Sequence, residues 1–542
     1  MNAFGSILAL ALLATPCVAR RAPDGVNELI ARGREALEAG RPADAQKLFD
    51  EAAAKDNGTL RTKIWVLRSW MDQGRINDAL DAIDAISKSG AKGPEVDYLY
   101  GMAFARKARG YMDSNVAGGP VQMALDDAVQ FLERAVKADP ELARDAFLPL
   151  AEAAWYGQKL DVARSAAETA VKRTPKSADA QFMLGRIALS QFSAAKDDAS
   201  RKAEADGNWE VARAAFTRAV DLLGAAPDPA ARDMLVRVHV DLGHTYVWKE
   251  KFEDAKREYA AAMVGNPALV DMGQVQRALG TERMLAALET AVPALAARPG
   301  VDVSDVAALT WWLGWARYDQ KQWAKADEAF SAAVAKAPRF VNSWHYIALA
   351  RFQQKDFEGS YAAIRKHWDE NPSDLVAAVG GNPDASIPLL DGLVAWCAEN
   401  KRNTDAAFLS ELETNAAPSD SRYWNNAGLF WRDAGEILSK SERAEDKTLA
   451  QEDFEKSWKA YTKALDLDPE SPALLNDAAV ILHYYLDRDL ERAKEMYRKA
   501  AARAKEELAK PDLKPDLREL YETALRDSTN NLAKLEKGEK RE

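Results

Sequence analysis

Apolar residues along this chain recur at three- and four-residue intervals, in runs long enough for several helical turns, and the runs come in pairs joined by short turns. Each pair predicts a helical hairpin, and the pairs return about every thirty-four residues. Inside a pair the spacing is regular. A glycine or other small residue lies on the first helix, and an alanine follows twelve residues later. An aromatic or apolar residue comes four on, an alanine three after that, and often a proline five further. From Val236 this reads Leu242-Gly243, Tyr246, Ala255, Tyr259, Ala262, Pro267; from Ala307 it reads Leu313-Gly314, Ala326, Phe330, Ala333, Pro338. The small residue lets the second helix approach, the aromatic fills the space between, and proline stops the second helix.

The same phase starts at Val26 with Gly33, Gly40, Ala45, Phe49 and Ala52, and near Leu60 with Trp70, Gly74, Ala79, Ile83 and Ile86. It continues through Gly101, Ala151, Gly185, Val341, Gly428 and Ile481, with weaker units at 268–306 and 387–418. This pattern resembles the tetratricopeptide repeat. The resemblance implies an all-α, right-handed superhelical solenoid of helix-turn-helix units that binds protein or peptide partners. The expected organisation is an array over 26–306, including the degenerate unit 268–306, then a second array over 307–511. A capping helix and charged tail over 512–542 close the chain.

Three units are longer than the rest. Gly101 to Ala128 and Gly185 to Ala212 each span twenty-seven residues, and Gly428 to Ser457 spans twenty-nine, against the usual twelve. The surplus is charged, alanine-rich and helix-favouring, enough for about two added turns per helix. Three long hairpins are therefore expected to project from one edge of the stack. Gly380-Gly381-Asn382-Pro383 reads as a turn between repeats.

Composition adds limits. The chain of 542 residues is 47% hydrophobic and 29% charged, with a net charge of −11 and both signs mixed along the helices. Nucleic-acid binding calls for a basic stripe, which is missing. At the N-terminus Phe4 to Ala14 is apolar and too short to span a bilayer. It ends in Cys17-Val18-Ala19, as a secretory signal peptide does, so residues 1–19 are expected to be removed and the protein exported to the periplasm or cell envelope. A lipid anchor through Cys17 is the weaker alternative, since Pro16 precedes it.

No reaction centre emerges. The five histidines, His239, His244, His345, His367 and His483, form no ligand pair on one helical face, and Cys397 is the one cysteine left after export. No nucleophile elbow, phosphate loop or dinucleotide pattern is present. The expectation is a non-enzymatic scaffold without cofactor or metal.

Binding residues follow from the resemblance, which implies that positions six and three before the glycine, and one and four after it, face the groove. The unit from Ala307 then presents Ala308, Trp311, Trp315 and Tyr318, and the next presents Asn342, His345, Leu349 and Phe352. Such an aromatic wall suits a peptide or, alternatively, an envelope glycan or peptidoglycan. A slip of one residue would turn Trp311 and Tyr318 into the core instead. Earlier in the chain Arg34, Arg68 and Arg186 occupy equivalent positions, with Ile30, Ile64 and Phe182 four residues before them. Arginine beside apolar contacts favours a carboxylate-bearing segment.

Overall fold

A computed structural model of the chain describes residues 25–38, 40–224, 229–338, 340 and 342–539. The segment 1–19, expected from the sequence to be a signal peptide, and the last three residues of the tail lie outside the described residues. Among the described residues there are 26 α-helices and no strand. They fall into two compact units, one up to Arg283 and one from Met284.

In the first unit the hairpins are α1 (Val26–Glu38) with α2 (Pro42–Lys55), α3 (Leu60–Asp72) with α4 (Ile76–Lys88), and α5 (Pro94–Asp113) with α6 (Gly119–Ala138). Then come α7 (Phe147–Tyr156) with α8 (Leu160–Arg173), α9 (Ala178–Ala195) with α10 (Lys202–Leu223), α11 (Pro229–Val247) with α12 (Phe252–Gly265), and α13 (Met272–Leu279). Helix α14 (Thr281–Ala296) carries the boundary. The second unit continues with α15 (Val303–Asp319) and α16 (Trp323–Lys336), α17 (Ser343–Gln353) and α18 (Phe357–Glu370), and α19 (Pro372–Gly381). It ends with α20 (Pro383–Glu399) and α21 (Asn403–Ala416), α22 (Ser421–Ser439) and α23 (Ala444–Leu467), α24 (Pro472–Val480) and α25 (Leu490–Leu508), and the closing α26 (Pro515–Glu536). Within each unit a second helix packs on its own first helix and on the first helix of the next hairpin. First helices also touch one another, so they form one row and the second helices another.

The small-residue rule is visible as a socket. A Cβ on Gly185 would stand 2.5 Å from the Phe216 ring, and one on Gly314 or Gly428 would stand 2.8 Å from Phe330 or Tyr461. Gly33 lies as close under Phe49, and Gly101 under Leu132. The rings of Phe49, Phe216, Phe330 and Tyr461 are fully buried. Real side chains do not meet at such distances, so only glycine permits this approach.

Turns inside the hairpins share one geometry. Gly40, Gly74, Gln158, Glu250, Lys321, Lys355 and Lys401 have φ between 55° and 80°. The N–H of the residue after each donates to the carbonyl five residues back, at 2.7–3.0 Å (Arg41 to Ala36, Lys159 to Ala154, Asp356 to Arg351). That bond ends the first helix and aims the second back along it.

Two expectations are corrected. Gly380 and Gly381 are the last residues of α19, a short helix the spacing did not predict, and the chain turns at Asn382 alone. Asn371 caps α19 by accepting from the Asp374 amide, Pro372 sits in its first turn, and Gly380 lets it lie against the Asn415 carbonyl. The long hairpins have the expected length, with 20 and 20 residues in α5 and α6, 18 and 22 in α9 and α10, and 19 and 24 in α22 and α23. They do not project freely. Each added segment rests on the turn of the next hairpin through a cation there: Lys159 pairs with Asp126, Lys249 with Asp206 and Arg488 with Glu455. Trp248 meets Phe192 edge-on at 6.0 Å, and Tyr485 lies 4.6 Å from Phe454 while donating to Glu436. A π-helical turn, Ile481–Tyr485, gives Tyr485 that reach and sends Tyr484 to Asn531 of α26.

A left-handed residue other than glycine carries a backbone cost. Lys355→Gly should therefore raise stability by about 0.5–1 kcal/mol, while Lys355→Val should lower it by at least as much. Urea unfolding of the two variants checks this.

Candidate interaction surface

Because each socket glycine faces the second helix, the residue after it is turned toward the row of first helices. In the first unit two such residues, Arg34 and Arg186, line cavities of about 640 Å³ each. The first cavity is bounded by Ile30, Arg34, Ile64 and Trp65 on α1 and α3, with Asp56, Lys92, Glu95 and Asp139 at the rim. The second lies among α5, α7, α9 and α11. Its walls are Leu148, Tyr156, Phe182, Met183 and Met234, and its rim carries Arg109, Arg186, Arg237, Glu152, Asp179 and Asp233. Both have the size of a ligand-binding cleft, and both combine apolar side chains with many charged ones.

The three arginines singled out by spacing fare differently. The Arg34 guanidinium stacks over the Trp65 ring at 4.3 Å. Arg186 stacks over Trp155 at 4.1 Å, beside Phe182 at 5.5 Å, with Asp241 3.6 Å away. Burial pushes the Asp241 carboxyl up to about 6, against the pull of Arg186. Arg68 is buried, pairs with Asp72 and Asp145 at 3.1 Å and donates to the Tyr98 hydroxyl, so its donors are spent inside the stack.

In the second unit the aromatic residues form an edge-to-face network. Trp311 meets Trp312 and Tyr346 at 5.3 Å and the buried Phe330 at 5.9 Å; Tyr318 meets Trp323 at 4.9 Å and Tyr346 at 6.3 Å. Both thus pack on the next first helix. Trp315 is half-buried against Trp312 at 5.6 Å. His345 and Leu349 are 3% and 2% exposed, so neither is open to a groove. Phe352 is half-buried against Gly392 of α20. Among the described residues no three His, Cys, Asp or Glu side chains are placed to share a metal ion, and no helix is long and apolar enough to cross a membrane. Cys397 is fully buried, and burial pushes its thiol up to about 12.

Two family models described as tetratricopeptide repeat match residues 36–103, 148–228 and 313–374. Over these residues the chain carries tetratricopeptide repeats. It is an all-α helical-repeat solenoid and a protein–protein interaction scaffold. Solved structures similar to it include a thermophilic tetratricopeptide protein of Thermus thermophilus, 18% identical, over 40% of this chain and 99% of that one, with a TM-score of 0.29. The C-terminal part of a repeat-containing protein from Cytophaga hutchinsonii is 16% identical over 59% and 98%, with a TM-score of 0.32. The apo form of RapI is 12% identical over 72% and 97%, with a TM-score of 0.35. No curated protein matches the chain.

Tetratricopeptide spacing also contains a signal that the aromatic clustering masked. Asp179, Phe182 and Arg186 stand six before, three before and one after Gly185, and Arg237 stands six before Gly243. All four line the second cavity. Arg109 follows no such rule, because it lies on the added length of α5.

His345 gives the second unit an acid sensitivity. Its ring is held neutral, with its pKa lowered to about 4, first by burial and then by the neighbouring His367, against the pull of Asp374. The unfolded chain binds a proton near pH 6.5 and the folded one does not, so stability is lost as pH falls from about 6.5 toward 4. His345→Gln should recover on the order of 2 kcal/mol of the loss between pH 7.5 and 4.5, read from urea midpoints at both pH values.

Proposed function

We propose that this protein is an exported scaffold of the cell envelope that holds peptide segments or partner helices along its row of first helices. The observation carrying this reading is the pair of cavities in the first unit, each combining apolar side chains with a rim of charged ones. A tetratricopeptide array binds by lining up shallow pockets rather than by one deep site, and two pockets on one row fit an extended or helical occupant. The reading gives the chain no reaction of its own. Export rests on the apolar run Phe4 to Ala14 and the small residues before Arg20.

Two measurements test it in the native host. Envelope-fraction protein should begin at Arg20 by N-terminal sequencing; cytoplasmic protein beginning at Met1 contradicts export. A photo-crosslinking residue replacing Met234 on the cavity wall should trap a partner polypeptide, while one replacing Arg218 on α10 should not. Equal trapping from both positions, or none from Met234, contradicts binding in the groove.

A further inference from the structure

We infer that the cavity among α5, α7, α9 and α11 takes a polypeptide segment in which an acidic side chain stands beside a bulky apolar one, the carboxylate held by Arg186 and Arg237. This rests on the groove reading above and adds the chemistry of the occupant.

Some of the charges at the rim already have partners. Arg109 is paired with Glu152, and Asp233 accepts from the Asn266 side-chain amide at 3.0 Å. Asp179 lies in the first turn of α9, where the helix N-terminus offsets its charge. Two cations are left. Arg237 is exposed and has no ion-pair partner among the described residues. Arg186 has Asp241 at 3.6 Å, beyond a good hydrogen bond. That carboxylate, raised to about 6 by burial, keeps its proton over part of the mildly acidic range and then neutralises Arg186 only in part.

Geometry supports the same occupant. Stacking on Trp155 fixes the plane of the Arg186 guanidinium and leaves its edge donors to a ligand. A fixed fork of this kind takes a carboxylate through two parallel hydrogen bonds. Below the rim, Leu148, Phe182, Met183 and Met234 offer an apolar floor, and the methionines adapt to irregular shapes. A phosphodiester chain fits poorly, because Glu152, Asp179 and Asp233 ring the same opening and would repel successive phosphates.

The test uses the full chain and three fluorescein-labelled hexapeptides, alternating Glu-Leu, Gln-Leu and Lys-Leu, read by fluorescence anisotropy. The Glu-Leu peptide should bind most tightly and weaken as salt rises. Arg237→Gln and Arg186→Gln should each weaken it about tenfold, while Arg218→Gln on α10 should leave it unchanged. Arg237 is exposed, so its variant folds even where the Arg186 variant does not; circular dichroism checks both. Equal binding of the three peptides, blocked by Ala230→Trp in the cavity but insensitive to either arginine, would overturn the acidic occupant and leave groove binding standing. Preference for Lys-Leu would do the same. Binding of none of the peptides would overturn both.

Discussion

The structure depends on one close approach, a glycine of the first helix against an aromatic ring of the second. At Gly185, Gly314 and Gly428 no side chain fits between the helices, so the ring seats directly on backbone. The contact sets the distance between the two helices and their rotation. Rotation matters most for function, because it decides which residues face the neighbouring first helices. Arg186 points into a cavity because Gly185 beside it is turned into the socket. Cavity wall and hairpin core are adjacent residues of one helix, and the core fixes the wall.

The lengthened hairpins serve the same geometry. Their added turns do not float, because each meets a cation and, in two cases, an aromatic on the following turn. One hairpin thereby spans its own repeat and braces the next. In the first unit the added length of α5 also brings Arg109 to the cavity rim, where it pairs with Glu152 of α7. A repeat array stabilises itself only through neighbours, so such braces strengthen the links on which stability propagates.

Much of this was legible in the sequence. The spacing identified the sockets, the repeat class and the three long hairpins, since these depend on periods of three to four residues and on residue size. It missed α19, because ten residues between Asn371 and Asn382 carry no repeat signature, and their helix is set by a cap and a packed glycine. Spacing also put Arg34, Arg68 and Arg186 on one footing. The structure separates them by what lies opposite: two carboxylates and a tyrosine hydroxyl consume Arg68, whereas Arg34 and Arg186 keep to aromatic faces at cavity walls. Ion-pair partners 77 residues apart, as for Arg68 and Asp145, leave no local trace. For Trp311 and Tyr318 a rotation of one residue decides between groove and core, finer than spacing resolves.

The claim that the socket sets the stack is open to a double-mutant cycle at Gly185 and Phe216. Hydrogen exchange of the α9 and α10 amides is the measure, since repeats unfold locally. Gly185→Leu overfills the socket and Phe216→Ala empties it, each costing about 2–4 kcal/mol. Together they should cost at least about 1 kcal/mol less than their sum, because the leucine occupies space the ring has left. Simple additivity, within about 0.5 kcal/mol, would contradict the account.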